Sequence, residues 1–225
     1  MTNASRVTSV LLVAGSLIAA APTAGQVVER PVVIVAPDAD DVRVTQTREA
    51  IAFWNRTLTD LGLDIRLRVS DVIVVSESRL LENFARQVSQ RGGRLPRGSA
   101  GPQPPAELRG LEADTVVLLS RQPLMPFAWP LARWSTADGS TAGSGLPRYF
   151  VAIRAVQPRR VGDDKVLRNV IAHELGHTLG LTHHRATATL MCGPCSSLAA
   201  EDNPQEWLPL TDADRARLRA LHVAQ

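Results

Sequence analysis

The feature that most constrains this chain is one short run, His173-Glu-Leu-Gly-His177-Thr-Leu-Gly180-Leu-Thr-His183. Residues four apart lie on one face of a helix, so the imidazoles of His173 and His177 point the same way. Gly180 lets the chain turn at a positive φ, which brings His183 back beside them. The spacing therefore predicts a helix, a sharp turn and three imidazoles that converge on one point.

Three converging imidazoles predict a zinc site. Catalytic zinc takes three protein ligands and keeps its fourth position for water, and the motif offers no fourth protein ligand. Glu174 follows the first ligand, where a carboxylate can take a proton from that water. Peptide hydrolysis is the reaction that this set serves best. The alternatives are a structural zinc site and histidines that only pack.

The segments around the motif predict one mixed α/β domain. Strand and helix patterns alternate early in the chain and helices dominate late. Gly180 follows the motif helix, and Thr211-Asp-Ala-Asp214 resembles a capping box that opens a C-terminal helix. The predicted helices cover residues 40–61, 79–90, 163–179 and the C-terminal segment, and the predicted strands cover residues 31–37, 63–69, 72–75, 115–119 and 149–156.

The N-terminus predicts an export signal over residues 1–25, which leaves residues 26–225 as the catalytic domain. Arg6 precedes an apolar run over residues 10–21, and small residues follow it. This run is shorter than the roughly 20 apolar residues that span a bilayer. The alternative is an uncleaved anchor. No later run is long and apolar enough to span, so we expect a secreted or periplasmic protein with no stable membrane span after signal removal.

Composition narrows the partners. The net charge is +3, and basic residues are scattered among acidic ones, so a nucleic-acid partner is not indicated. All but one of the 25 basic residues are arginine, a bias that suggests a GC-rich bacterial genome. The motif instead indicates a protein or peptide substrate. Nothing in the sequence indicates an oligomeric state.

The chain resembles the metzincin zinc metalloproteases, and among these it is most similar to matrixin catalytic domains. The Leu190-Met191 step falls eight residues after His183, which is the matrixin spacing for the turn whose methionine lies under the zinc. Residues 210–222 are similar to the closing matrixin helix, and residues 51–55 to the first one.

This resemblance implies an α+β zincin fold, with a twisted, mostly parallel five-stranded sheet over the active-site helix. It also implies that substrate lies extended along an edge strand. Residues 126–134 are our candidate for that edge. Trp129 and Trp134 either line the cleft or pack in the core.

The chain departs from matrixins beside the motif. Residue 184 is histidine where serine is usual, and we expect its side chain to be exposed. Cys192-Gly-Pro-Cys195 replaces the aromatic residues that wall the matrixin specificity pocket. In an exported protein this pair favours a disulfide that stiffens the loop. The alternatives are a thiol–disulfide protein that uses these cysteines, and a zinc-binding module with little turnover.

One acidic segment, residues 38–41, could bind calcium, but the sequence does not indicate a calcium site. A solvated acidic turn is the favoured interpretation.

Overall fold

The computed structural model describes residues 27–91, 102–131, 147–155, 163–193 and 207–222. Within these ranges the elements follow in the order β1 (Val28–Ala36), α1 (Val42–Asp60), β2 (Ile65–Val74), α2 (Arg79–Gln90), α3 (Ala106–Arg109), β3 (Thr115–Leu119), β4 (Phe127–Leu131), β5 (Arg148–Ile153), α4 (Asp163–Thr178) and α5 (Asp212–His222). The predicted export signal lies outside the described residues and stays a prediction.

The strands form one sheet in the order β2-β1-β3-β5-β4. Neighbours from β2 to β5 pair in parallel, and β4 pairs antiparallel with β5. The prediction of a mostly parallel five-stranded sheet is therefore confirmed. β4 is an edge strand and falls within the segment predicted for that position.

Helices cover both faces of the sheet, which explains why all five residues of β3 are buried. Val117 and Leu119 join the core formed with α1 and α4. Val116 and Leu118 alternate to the opposite core, which includes residues of α2 and α3. The three-layer arrangement fixes α4, the helix that carries the motif, against one face of the sheet.

The same alternation decides between the two alternatives for Trp129 in favour of packing in the core. Its side chain is 5% exposed and packs in the core on the α2 side of the sheet. Ala128 is the β4 residue that packs against the α4 side. Trp129 therefore points away from the motif helix. Trp134 lies outside the described residues.

Residues 72–75 were predicted to form a separate strand. This prediction is wrong, because β2 continues without a break to Val74. The pairing with β1 shifts from Val32 opposite Val69 to Val33 opposite Asp71. Ser70 is the extra residue, and its hydroxyl donates to the Val32 carbonyl over 3.2 Å. The polar residues between the two predicted strands, 63–69 and 72–75, therefore form a β-bulge inside one continuous strand.

A side chain of α1 occupies the outer edge of β2. The Asn55 amide nitrogen donates to the Leu67 carbonyl, and the Leu67 N–H donates to the Asn55 side-chain oxygen, each over 2.9 Å. These two bonds have the pattern of a neighbouring strand. They hold α1 to the sheet at mid-strand.

Arg43 joins the start of α1 to the carboxyl ends of two strands. Its buried guanidinium donates to the carbonyls of Ser120 (2.6 Å) and Arg154 (2.9 Å). It also pairs with Asp41, whose side chain caps α1 by accepting from the Arg43 N–H. Asp41 is therefore an N-cap and an ion-pair partner, which corrects the interpretation of this segment as a wholly solvated turn.

A capping box begins the C-terminal helix. Thr211 and Asp214 exchange its two hydrogen bonds, from the Thr211 N–H to the carboxylate (3.0 Å) and from the Asp214 N–H to the hydroxyl (3.1 Å), so α5 begins as predicted.

Across the described ranges, none of the helices combines the length and apolar character needed to cross a bilayer.

Candidate metal centre

α4 and the turn after it bring the three histidines of the motif together. His173 and His177 lie one turn apart near the end of α4, and the helix stops at Thr178. Gly180 then adopts φ +90°, a conformation that glycine takes without steric cost. The chain reverses there and places His183 beside the other two rings.

The three ring Nε2 atoms face one another. That of His183 lies 2.9 Å from the Nε2 of His173 and 3.1 Å from the Nε2 of His177. The Nδ1 of His173 lies 2.6 Å from the Leu190 carbonyl, and the Nδ1 of His177 lies 2.9 Å from the Leu181 carbonyl. A carbonyl only accepts, so both Nδ1 atoms carry the proton and both Nε2 atoms present lone pairs.

Burial keeps these rings neutral. It lowers the pKa of His173 to about 4, with the Leu190 carbonyl opposing that shift. Burial also lowers the pKa of His177 and of His183. Neutral imidazole is the form that binds a metal ion, so at neutral pH the three rings can bind a cation without first losing a proton.

The donor set fits zinc. Lone pairs that converge within about 3 Å repel one another unless a cation or a proton lies between them, and two of these rings already hold their protons on Nδ1. Tetrahedral zinc with bonds of about 2.0–2.1 Å holds its nitrogen ligands about 3.3 Å apart. Zinc-binding histidines typically donate from their other ring nitrogen to a carbonyl, as His173 and His177 do here. His173, His177 and His183 are thus the residues that would hold the ion.

Glu174 is a residue of α4, and its side chain reaches the edge strand β4. Its side chain is buried, and burial raises its pKa to about 8, while a hydrogen bond from the Ala128 backbone in β4 opposes the shift. A cation bound to the adjacent histidines favours the ionised carboxylate. The position is that expected for a proton acceptor beside the metal.

Two buried side chains lie close to Gly176 of the motif helix. Met191 and Trp54 are fully buried, and the Trp54 indole donates to the Ala172 carbonyl of α4 over 2.8 Å. A Cβ built on Gly176 would lie 2.7 Å from the Met191 sulfur and 2.9 Å from the Trp54 ring. Any side chain at this position of the motif helix would therefore require its neighbours to shift.

The loop after the histidines contacts the third ligand directly. Gly193 lies against the His183 ring, because a Cβ there would come within 2.7 Å of it. Cys192 is buried and disulfide-bonded. Cys195 lies outside the described residues, so its pairing with Cys192 stays a prediction.

His184 differs from expectation. It was predicted to be exposed, but its side chain is 25% exposed and its Nε2 lies 3.1 Å from the Asp214 carboxylate. The contact with Asp214 of α5 partly buries the His184 ring. No local sequence pattern indicates this contact, because the two residues lie thirty positions apart. His222, outside the motif, lies 3.0 Å from the Leu179 carbonyl through its Nε2.

Several residues of the site were missed in the sequence. The carbonyls of Leu181 and Leu190 orient the ligands, and the Ala128 backbone contacts Glu174. Backbone groups leave no trace in side-chain identity. Gly176 and Gly193 could have been found, because a glycine inside a helix and one beside a ligand both suggest a close approach.

Comparisons with known proteins agree with the geometry. Residues 132–223 match the family model described as Matrixin, and this stretch holds all three histidines, Glu174 and Met191. Among curated proteins the chain has no significant match.

Solved structures show weak similarity. A chaperone–substrate complex shares 14% identity, with 82% of this chain and 30% of that chain covered and a TM-score of 0.43. Archaemetzincin from Methanopyrus kandleri shares 16% identity, covering 88% and 97%, at a TM-score of 0.43. Metalloproteinase-II from Bacteroides fragilis shares 14%, covering 89% and 55%, at a TM-score of 0.49. This chain thus spans well under two thirds of the length of the first and third. Similarity at this level does not define the fold, which rests on the strand order above.

The family match and the site agree in position, since the matched residues 132–223 include the three histidines whose rings converge. The part of the chain that holds the three histidines is thus similar to the matrixin family.

Proposed function

We propose that the chain is an exported endopeptidase in which His173, His177 and His183 hold one zinc ion and Glu174 activates water for peptide-bond hydrolysis. The observation that carries the proposal is the convergence of three neutral imidazoles beside a buried glutamate. Zinc bound there supplies a Lewis acid that lowers the pKa of water and polarises a peptide carbonyl.

Glu174 moves the protons of the reaction. Its carboxylate accepts one from water as the oxygen attacks the scissile carbonyl carbon, and it then gives that proton to the leaving amine nitrogen. One C–O bond forms and the peptide C–N bond breaks, so water is consumed and no other reactant is required. The hydrogen bond from the Ala128 backbone holds the carboxylate towards the edge strand, where substrate would lie.

The edge strand β4 suits an extended peptide. A peptide strand added to a sheet edge is bound through its main chain, and side chains are selected by pockets. Pro130 has no N–H, so β4 offers a partner strand only a carbonyl at that residue. The disulfide-bonded Cys192 favours an oxidising compartment, which supports the expected secreted or periplasmic location.

The thiol–disulfide alternative is less well supported. A redox-active cysteine needs solvent access and a stabilised thiolate. Cys192 is 4% exposed and contacts the metal-binding loop instead.

Glu174→Gln tests the proposal. We expect the purified variant to keep one zinc per chain by metal analysis and to cleave a casein or peptide-library substrate about 10²–10⁴-fold more slowly. Glu77→Gln, at an exposed glutamate, is the matched control and should retain full turnover. Unchanged cleavage by Glu174→Gln would reject Glu174 as the base, and wild-type protein without stoichiometric zinc would reject the function.

A further inference from the structure

The segment that carries the third histidine, residues 179–184, lies against one face of α5. Asp214, Arg217 and Leu221 stand three and four residues apart on this helix and therefore share a face. Each of them contacts residues 179–184. The C-terminal helix thus reaches both ends of the turn that delivers His183.

Asp214 binds the end of this segment that adjoins the ligand. The Ala186 N–H donates to the Nδ1 of His184 over 3.2 Å, so the ring proton is on Nε2 and is donated to the Asp214 carboxylate over 3.1 Å. Asp214 is 4% exposed and also accepts from the Thr211 hydroxyl over 2.7 Å. A buried carboxylate therefore holds the residue next to the third ligand.

Other side chains of α5 hold the start of the segment. The Arg217 guanidinium donates to the Gly180 carbonyl over 2.7 Å, and the His222 Nε2 lies 3.0 Å from the Leu179 carbonyl. A Cβ on Gly180 would lie 2.6 Å from Leu221. These contacts fix the turn at the point where the chain leaves α4.

His183 needs such support more than the other two ligands do. It stands outside any helix and is exposed. In the part of the chain that the structure describes, its Nδ1 has no hydrogen-bond partner, whereas those of His173 and His177 are held by carbonyls. The position of the ring is set through the backbone of residues 183–184 and through its contact with Gly193.

We infer that α5 positions the third zinc ligand, with the His184–Asp214 pair and Arg217 as positioning residues for the metallopeptidase site. The inference rests on the proposed zinc binding by the three histidines. It assigns a role to His184, the residue at which this chain departs from the usual matrixin serine. Loss of either contact leaves the site assembled but lets His183 shift from its place.

Four variants of the full chain test this role. His184→Leu removes the bond to Asp214, and His184→Gln restores an amide donor close to the Nε2 position. Arg217→Gln removes the bond to Gly180 at an exposed residue, so the variant keeps its fold. Thr211→Val is the matched control, since it removes the capping hydroxyl from Asp214 and leaves the bond to His184 in place.

We expect His184→Leu to weaken zinc affinity about 10–100-fold in a chelator competition and to alter the visible absorption of the cobalt-substituted protein. His184→Gln should recover most of both, and Arg217→Gln should weaken affinity several-fold. Thr211→Val should lower the urea midpoint of the metal-free protein and leave the zinc affinity and the cobalt spectrum unchanged.

Three results would overturn the inference. His184→Leu and Arg217→Gln could keep wild-type zinc affinity and cobalt spectrum while the wild type binds one zinc, which leaves the proposed function standing. Thr211→Val could lose as much affinity as His184→Leu, which reduces α5 to a general stabilising element. Wild-type protein that binds no zinc overturns this inference and the proposed function together.

Discussion

Gly176→Ala sets two opposed effects against each other in the motif helix. Alanine is favoured over glycine inside a helix by about 1 kcal/mol. The new methyl carbon would lie 2.7 Å from the Met191 sulfur and 2.9 Å from the Trp54 ring, both fully buried. Overpacking of this kind costs about 1–3 kcal/mol.

Steric cost decides the sign, because neither neighbour has room to move. The Trp54 indole is held by its bond to Ala172, and the Met191 side chain has no exposed surface into which it can swing. We expect Gly176→Ala to lower the free energy of unfolding of the metal-free protein by up to about 2 kcal/mol, which is the steric cost less the gain in helix propensity. Urea titration followed by circular dichroism measures this directly.

Two further variants isolate the contact. Gly110→Ala places a Cβ whose nearest neighbour is a backbone oxygen at 3.7 Å, so it should be neutral or slightly stabilising. In a Met191→Ala background the methyl at residue 176 fills part of the vacated space, and Gly176→Ala should then cost about 1 kcal/mol less. A stabilising Gly176→Ala in the wild type would refute the reasoning, since helix propensity alone would have won.

Three other outcomes follow from the contacts. Gly180→Ala should lower the free energy of unfolding by at least about 1 kcal/mol, because residue 180 has φ +90° and its Cβ would meet Leu221; urea titration measures it. The pKa of His173 is about 4 when folded and 6.5 when exposed, so metal-free protein should lose roughly 3 kcal/mol from this group as the pH falls from above 6.5 towards 4. That loss should be missing from a His173→Gln variant titrated in parallel. Arg43→Met should lower the free energy of unfolding by about 3 kcal/mol or more, because it leaves the Asp41 carboxylate without its ion-pair partner and the strand-end carbonyls without their donor.

Local patterns in the sequence predicted most of the fold. The ranges of α2 and β3 were predicted to the residue, because each is a single run with one periodicity and clear boundaries. β2 was divided wrongly, since a bulge at Ser70 depends on pairing with β1 and has no signature of its own. Trp129 was placed ambiguously for a similar reason: which face of β4 turns inward is decided by the neighbouring layers.

The candidate site shows the same division. The three converging histidines follow from helical spacing and one glycine, so their meeting could be predicted. The His184–Asp214 contact joins residues thirty positions apart, and the bond from Ala128 to Glu174 uses a backbone group. Contacts of these two kinds require the assembled tertiary structure.

The Asn55 side chain on β2 gives the two borders of the sheet different fates. An unpaired strand invites any extended chain to extend the sheet, and β2 is ten residues long, enough to template aggregation. A strand from another molecule would have to displace both hydrogen bonds between the Asn55 side chain and Leu67 before it could pair with β2 at that residue. The proposed substrate edge at β4 lies at the opposite border of the sheet, so the Asn55 contacts hinder pairing between copies of the chain at β2 and leave β4 unaffected.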